Sequence, residues 1–397
     1  MKDQFIQMSD QLAYQFFQNK VYDLAYKQSE ITLAMDPLNK KIRFNTAKCA
    51  YYTSLYEKAI EYMNICLMLD TEWEDAKREL ALYLPWVNKK KEAFEILQTL
   101  PKDNRTIFNL GWYNLSDGNF LKGMECLEHG RNIGCWGTKN IQFPTPEWNG
   151  ESIEGKKLFI ITEGGIGDEI IFARFFRQLK QMGAEIFVKC TETTKLIFNR
   201  MDEVSFVTTK DMYPIHDYWV ASMSLPVKLK LNKVTGESFI KPSAKYVEKW
   251  KSKLDLGDFN IGLRWEGGQL FEHDQRRTLP VKKLSSRLKG KLFSLQKETV
   301  KTKTPSNVQD LELETLEDTL AVISLMDIVI TSCTCIAHLA GAIGKKTYVI
   351  VPIVPYFIWS GDGNKSDWYD SIEIFRQKDS LNWDEPIEEC INNINNR

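Results

Sequence analysis

Two stretches of different periodicity predict the fold class: an α-helical solenoid of short repeats, followed by an α/β region of two facing, doubly wound units. Three observations carry this. Like residues recur at one fixed step across the first third of the chain. After about residue 140, short apolar runs alternate with amphipathic stretches. A glycine-rich turn joins the first such run to the first such stretch. The chain has 397 residues, too many for one compact core and enough for two or three domains.

Ala25, Ala59 and Ala93 are evenly spaced, and Tyr22 and Tyr56 keep the same step. Asp36-Pro37 and Asp70-Thr71 mark matching turns. Apolar residues between the turns follow a helical period, as with Ile60, Met63 and Leu67 after Tyr56. A helix–turn–helix unit of about 34 residues, with a small residue where the helices touch, is the tetratricopeptide pattern. The alanines and tyrosines keep that period. A fourth copy, around Leu110–Gly123, arrives four residues early, so one turn is shortened. Residues 1–138 are therefore expected to stack as about four repeats. Such an array binds a protein partner, dimerises, or packs on the rest of the chain. Basic and acidic residues balance over 1–145 and give no charge preference.

Beyond the repeats, Lys157–Thr162 reads as a strand, Glu163–Asp168 as the glycine-rich turn, Glu169–Met182 as a helix closed by Gly183, and Ala184–Cys190 as the next strand. This order implies parallel pairing with a right-handed crossover. A second set has strands at Asn260–Trp265, Lys291–Leu295, Met326–Thr331 and Lys346–Val351, with a helix at Cys335–Ile343. The sets join near 236–258, which gives units of 139–245 and 246–397. Ligands of such folds sit beyond the carboxyl ends of the strands. The loops to watch are therefore 163–168, 264–277, 331–335 and 352–369.

Composition narrows the function. Lys plus Arg number 52 against 53 Asp plus Glu, which excludes a wholesale polybasic nucleic-acid binder. An apolar content of 43% with 12% aromatic residues excludes a largely disordered chain. No apolar run is long enough for a membrane span, and the opening residues lack the order of a signal peptide. Eight cysteines without a CxxC pair read as reduced, mostly buried thiols of a cytoplasmic protein. Four histidines without helical pairing make a metal site unexpected.

Gly164, Gly165 and Gly167 would let backbone N–H groups approach an anion, although the spacing matches neither the dinucleotide fingerprint nor the P-loop. Asp168 reads either as a helix N-cap or as a general base. Ser332, Cys333 and Thr334 lead into a helix whose free N–H groups and positive end suit a diphosphate; alternatively Ser332 or Thr334 only caps that helix. His338, one turn in, is a packed residue or a phosphate ligand. Arg264, Arg276 and Arg277 belong to the loop after the 260–265 strand, where an arginine would neutralise a leaving phosphate. The segment 276–303 carries ten basic residues and one acid, Glu298, which makes it a solvated face or a lure for an anionic acceptor. Tyr356, Phe357, Trp359, Trp368 and Tyr369 form an aromatic group that serves as core or as a stacking platform.

Five motifs in order, Glu163–Phe175, Gly262–Trp265, Phe293–Lys297, Ala337–Ala342 and Ile374–Gln377, resemble tetratricopeptide-linked proteins with a glycosyltransferase family 9, heptosyltransferase-like, domain. The match covers about 155–380. The resemblance implies a GT-B architecture, with an acceptor unit first and a nucleotide-sugar unit second. It places Asp168 where that family has its proposed catalytic base. It also implies inverting chemistry without a metal or other cofactor, the nucleotide-diphosphate sugar being a co-substrate. Arg264, Arg277, Gln296, Lys297 and the start of the 333–338 helix would line the donor site. Two departures stand out. The family usually has Asp-Thr where this chain has Cys333-Thr334, and a charged loop reads Pro355-Tyr-Phe-Ile-Trp359 here. The expected function is transfer of a sugar to a hydroxyl of a glycan or protein, or of hydroxymethylated phage DNA. The alternative is a non-catalytic repeat scaffold carrying a degenerate sugar- or nucleotide-binding module.

Overall fold

The computed structural model describes residues 2–211, 213–268, 276–297, 302–380 and 382–395. Part of the 264–277 loop (269–275) and part of the basic segment (298–301) lie outside the described residues. The chain forms two compact units, one of Met1–Leu110 with Lys378–Ser380 and one of Gly111–Gln377 with Leu381–Arg397.

The first unit is helical: α1 (Lys2–Gln18), α2 (Tyr22–Met35), α3 (Lys40–Tyr52), α4 (Tyr56–Leu69), α5 (Glu74–Tyr83) and α6 (Lys90–Thr99). Each helix packs on the next. Helices α2, α4 and α6 start at Tyr22, Tyr56 and Lys90, and α3 and α5 at Lys40 and Glu74. Both series keep the step of the alanines, so this is a helical repeat region resembling a tetratricopeptide array. The alanine step has a steric cause. Ala25, Ala59 and Ala93 are fully buried where helices cross, and a larger side chain would hold the helices apart. Aromatic rings bridge neighbouring repeats: Tyr51 stacks on Tyr83 at 4.4 Å and Tyr56 on Trp86 at 4.8 Å. Asn39 caps α3 by accepting the N–H groups of Lys41 and Ile42.

A seventh helix, α7 (Asn104–Ser116), carries the chain past Leu110. It is followed by α8 (Phe120–Glu128) and α9 (Gly130–Ile133). The start of α8 at Phe120 falls short of a full step from Lys90, which is the shortened turn.

Two parallel sheets follow. The first has the order β3-β2-β1-β4, from β1 (Lys157–Ile161), β2 (Glu185–Lys189), β3 (Val204–Thr208) and β4 (Tyr218–Ala221). Helices α10 (Ile166–Ala173), α11 (Phe176–Gln181), α12 (Lys195–Phe198) and α13 (Leu225–Lys228) accompany it, and α14 (Ala244–Lys251) leads to the second sheet. That sheet holds β5 (Asn260–Arg264), β6 (Lys291–Ser294), β7 (Val308–Gln309), β8 (Ile328–Ser332), β9 (Thr347–Val351) and β10 (Ile372–Arg376). Its helices are α15 (Val281–Ser285), α16 (Leu316–Leu325), α17 (Cys335–Ala342) and α18 (Asp384–Asn395). The order β7-β6-β5-β8-β9-β10 is the doubly wound 3-2-1-4-5-6 arrangement when β5 counts as the first strand. Strands β5, β8 and β9 are buried at every position, as a sheet covered on both faces requires. Both sheets reverse their winding direction beside the first strand, between β1 and β4 and between β5 and β8, so crevices open beyond those carboxyl ends.

The single helix expected over 169–182 is two. Phe175 N–H bonds three residues back to the carbonyl of Phe172, which tightens the chain and divides α10 from α11. Strands β3, β4, β7 and β10 were not anticipated. β7 has only two residues, and β3 is an edge strand whose apolar Val204, Phe206 and Val207 are interrupted by the exposed Ser205 and of which only Thr208 is buried, so neither presents a continuous apolar run. All eight cysteines are outside disulfides, and six are buried. Among the described residues no helix is long and apolar enough to cross a membrane.

Asp318, a buried carboxylate on α16, clasps α14. It accepts from Lys249 Nζ at 2.7 Å and Trp250 Nε1 at 2.8 Å, and it closes a capping box with Thr315. Burial by itself would raise this carboxyl, but the Lys249, Trp250 and Thr315 donors outweigh it and draw it down to about 2. A depressed folded-state value stabilises above the unfolded value and loses that contribution as pH falls through the folded one.

Ala59→Leu should overpack the α-helical crossing and cost about 1–3 kcal/mol, read as a lower urea midpoint of helical circular dichroism. Wild-type stability should fall between the ordinary carboxyl value of 3.8 and about 2, and Asp318→Asn should flatten that limb in melting curves across the acid range.

Candidate active site at the glycine-rich turn

The turn after β1 is shaped by what a side chain would strike. Gly164 has φ +74°, and a Cβ there would meet Asp168 Oδ2 at 2.5 Å. Asp168 is not the N-cap of α10. It stands at the third helical position, and its Oδ2 accepts the N–H of the capping residue Gly165 at 2.8 Å. Its Oδ1 accepts the Tyr356 hydroxyl at 3.0 Å. Burial raises this carboxyl above its ordinary range, and the Gly165 and Tyr356 donors only partly offset it.

The acids on either side of the turn are fully engaged. Glu163 is buried and forms a bidentate pair with Arg131 at 2.6 and 2.8 Å, while accepting the Thr138 N–H at 2.5 Å. Arg131 also reaches Glu128 at 2.9 Å and the Ser224 hydroxyl at 2.9 Å. Glu169 is buried among threonines, accepting from Thr162 Oγ1 at 2.8 Å, from Thr191 N and Oγ1 at 3.2 and 3.1 Å, and from Thr194 Oγ1. Asp168, with one oxygen on the Gly165 N–H and the other on the Tyr356 hydroxyl, is the one of these three acids that is partly exposed, beside the exposed Gly164 and Gly165.

The second helix start lies against this turn. A Cβ on Gly167 would fall 3.0 Å from His338 Cδ2 and 3.7 Å from Cys335 Cα. Thr334 is the capping residue of α17, yet neither it nor Ser332 caps the helix with a side chain: Thr334 Oγ1 pairs with Thr331 Oγ1 at 3.1 Å, and Ser332 closes β8. His338 is buried, stacked on Trp359 at 5.3 Å, with Nδ1 at 3.2 Å from the Tyr369 hydroxyl. Burial first, then the cations Arg174 and Arg277, push its imidazole down to about 3, so it is neutral at physiological pH.

The other sequence-derived candidates gather at the carboxyl ends of the second sheet. Arg264 is buried and donates to the Leu295 carbonyl at 3.2 Å. Gln296 Oε1 accepts the N–H groups of Trp265 and Glu266, both at 3.1 Å, which joins the ends of β5 and β6. Arg277 donates to the Cys333 carbonyl at 2.7 Å. Gln296 Nε2 and Ser332 Oγ are buried without a hydrogen-bond partner among the described residues. Lys297, by contrast, points outward and donates to the Glu314 carbonyl at 2.7 Å. In the basic segment, Lys283, Arg287 and Lys291 pair with Asp384, Glu388 and Asp255, which reduces the charge offered to a polyanion.

Sequence reasoning missed three participants. Tyr356 was one aromatic among several. Arg174, which donates to the carbonyls of Trp368 at 2.7 Å and Thr235 at 3.0 Å and lies 4.5 Å over the Tyr369 ring, was only part of a motif. Arg131 carried no signal, because its partner Glu163 is 32 residues away.

No family model matches the chain. Protein FlbA of Caulobacter vibrioides (strain ATCC 19089 / CIP 103742 / CB 15) is 24% identical over 304 residues, which is 66% of this chain and 50% of that protein. The chain thus spans about half the length of the curated relative it matches. Among solved structures, the type III secretion translocator chaperone SycD of Yersinia enterocolitica is similar at 18% identity and TM-score 0.23, over 24% of this chain and 71% of its own. A crystal structure of MamA is similar at 14% identity and TM-score 0.29, over 33% of this chain and 81% of its own.

Removing Arg131 would leave Glu163 buried without its counter-charge. Arg131→Met should therefore cost about 3–5 kcal/mol, measured by chemical denaturation.

Proposed function

We propose that this chain is a glycosyltransferase that moves a sugar from a nucleotide-diphosphate donor to an acceptor hydroxyl, with Asp168 as general base. The observation that carries the reading is the close approach at Gly167. It sets the turn that carries a carboxylate of raised pKa against the start of α17, where the leaving diphosphate would meet the positive end of the helix. Gln296 Nε2 and Ser332 Oγ, buried and without partners among the described residues, supply further donors at the crevice of the second sheet. Arg277, drawn to the Cys333 carbonyl, stands next to that crevice.

In this reading the two sheets form the two halves of a GT-B architecture, as the resemblance to glycosyltransferase family 9 implies. Asp168 removes the acceptor proton as the acceptor oxygen attacks C1 of the sugar, and the departing diphosphate is stabilised at the start of α17. His338, held neutral, shapes the seam and does not supply a proton. The chemistry requires no metal, and the acceptor is a glycan or protein hydroxyl. The helical repeats fit a protein-docking role, since arrays of this type expose extended surfaces.

A second reading is a binding module without turnover. It is favoured by the thiol of Cys333 where the resembled family has a carboxylate, and by the engagement of both Asp168 oxygens, one with Gly165 N–H and one with the Tyr356 hydroxyl.

A panel of UDP, GDP, ADP, CDP and TDP, read by thermal shift with and without Mg²⁺, separates the cases. One nucleotide should raise the melting temperature without metal, by about 2.7 kcal/mol of stabilisation at a hundredfold excess over its dissociation constant. Asp168→Asn should keep that shift and lose about 10²–10⁴-fold in sugar transfer. A variant with undiminished transfer would refute the role of Asp168, and silence from all five nucleotides would refute the donor site.

A further inference from the structure

The contact between Asp168 and Tyr356 places a hydroxyl where an acceptor hydroxyl has to be. Tyr356 Oη lies 3.0 Å from Asp168 Oδ1, within the reach of a general base. Its ring is held edge-on by Trp112 at 5.8 Å and Phe357 at 4.6 Å, so the phenol is oriented in advance. Tyr356 is half-buried as a residue, with its hydroxyl end enclosed against Asp168, and the exposed Gly164 and Gly165 next to that carboxylate present no side chains to an incoming sugar ring. The start of α17 adjoins the same turn through Gly167 and Cys335.

We infer that Tyr356 is itself a sugar acceptor, and that the chain glycosylates its own phenol at this position. The inference rests on the transferase reading above. In the step, the Tyr356 oxygen forms a bond to C1 of the donor sugar and the C1–O bond to the diphosphate breaks. The phenolic proton passes to Asp168 Oδ1, and the nucleoside diphosphate leaves. Nothing is oxidised or reduced, and Asp168 returns its proton to solvent. Burial and the neighbouring Asp168 carboxylate raise the Tyr356 phenol, which keeps it protonated until the base acts.

The test incubates the full chain with UDP-glucose, UDP-N-acetylglucosamine, GDP-mannose, ADP-glucose and TDP-glucose in turn, followed by intact-mass spectrometry and peptide mapping. The expected result is a mass gain of one sugar residue from one donor, mapped to Tyr356, and lost in Tyr356→Phe and in Asp168→Asn. Release of nucleoside diphosphate without a gain at Tyr356 overturns the inference and leaves the transferase reading standing. So does a gain that survives Tyr356→Phe. Nucleotide binding without a mass gain from any of the five donors also overturns it. If no nucleotide shifts the melting temperature and none is released, the transferase reading fails and the inference falls with it.

Discussion

The close approach of α10 and α17 at Gly167 is the constraint on which the candidate site depends. Without a side chain at this position, His338 packs directly on the α10 backbone, and a single added methyl carbon would already stand 3.0 Å from its ring. The seam orders what lies on either side. Asp168 directly follows Gly167, Cys335 opens α17 beside it, and Trp359 stacks on the histidine ring. The histidine tolerates this enclosure because it is uncharged. With Arg174 and Arg277 nearby, an imidazolium would face two cations in a site that excludes water.

Around the seam the charged groups are paired, and that pairing serves orientation more than stability. A buried ion pair repays little of its desolvation cost, but its geometry leaves few alternatives. Arg131 holds Glu163 and so fixes the strand end from which the glycine-rich turn departs. The threonines from the end of β1 and the loop after β2 do the same for Glu169. Arg174 is enclosed by carbonyls and by the rings of Tyr369, Trp368 and Phe239. Asp168 stays partly exposed between these clasps, held by the Gly165 N–H on one oxygen and by the Tyr356 hydroxyl on the other.

Much of the fold was legible because periodicity is a local property. The regular alanine step marks helix crossings where Ala25, Ala59 and Ala93 are fully buried. The apolar runs at 157–161, 260–264 and 347–351 are strands because parallel sheets bury both faces. Interrupted or very short strands such as β3 and β7 were not legible, since neither offers a continuous apolar run. Asp168 was visible through the glycines before it, while its place at the third helical position, and its hydrogen bond to a capping glycine, were not.

The repeat array, the switch to parallel strands and the glycine-rich turn carrying Asp168 all follow from the amino-acid order alone, because each is written in residues close together along the chain. Which groups that aspartate meets is a matter of tertiary structure. Tyr356 is 188 residues away from it, and Trp368 is 194 residues from Arg174. Contacts at such separation are set by strand order and helix crossing, and no local pattern encodes them. For the same reason burial, and with it the neutrality of His338 and the raised carboxyl of Asp168, emerged only once the helices had met.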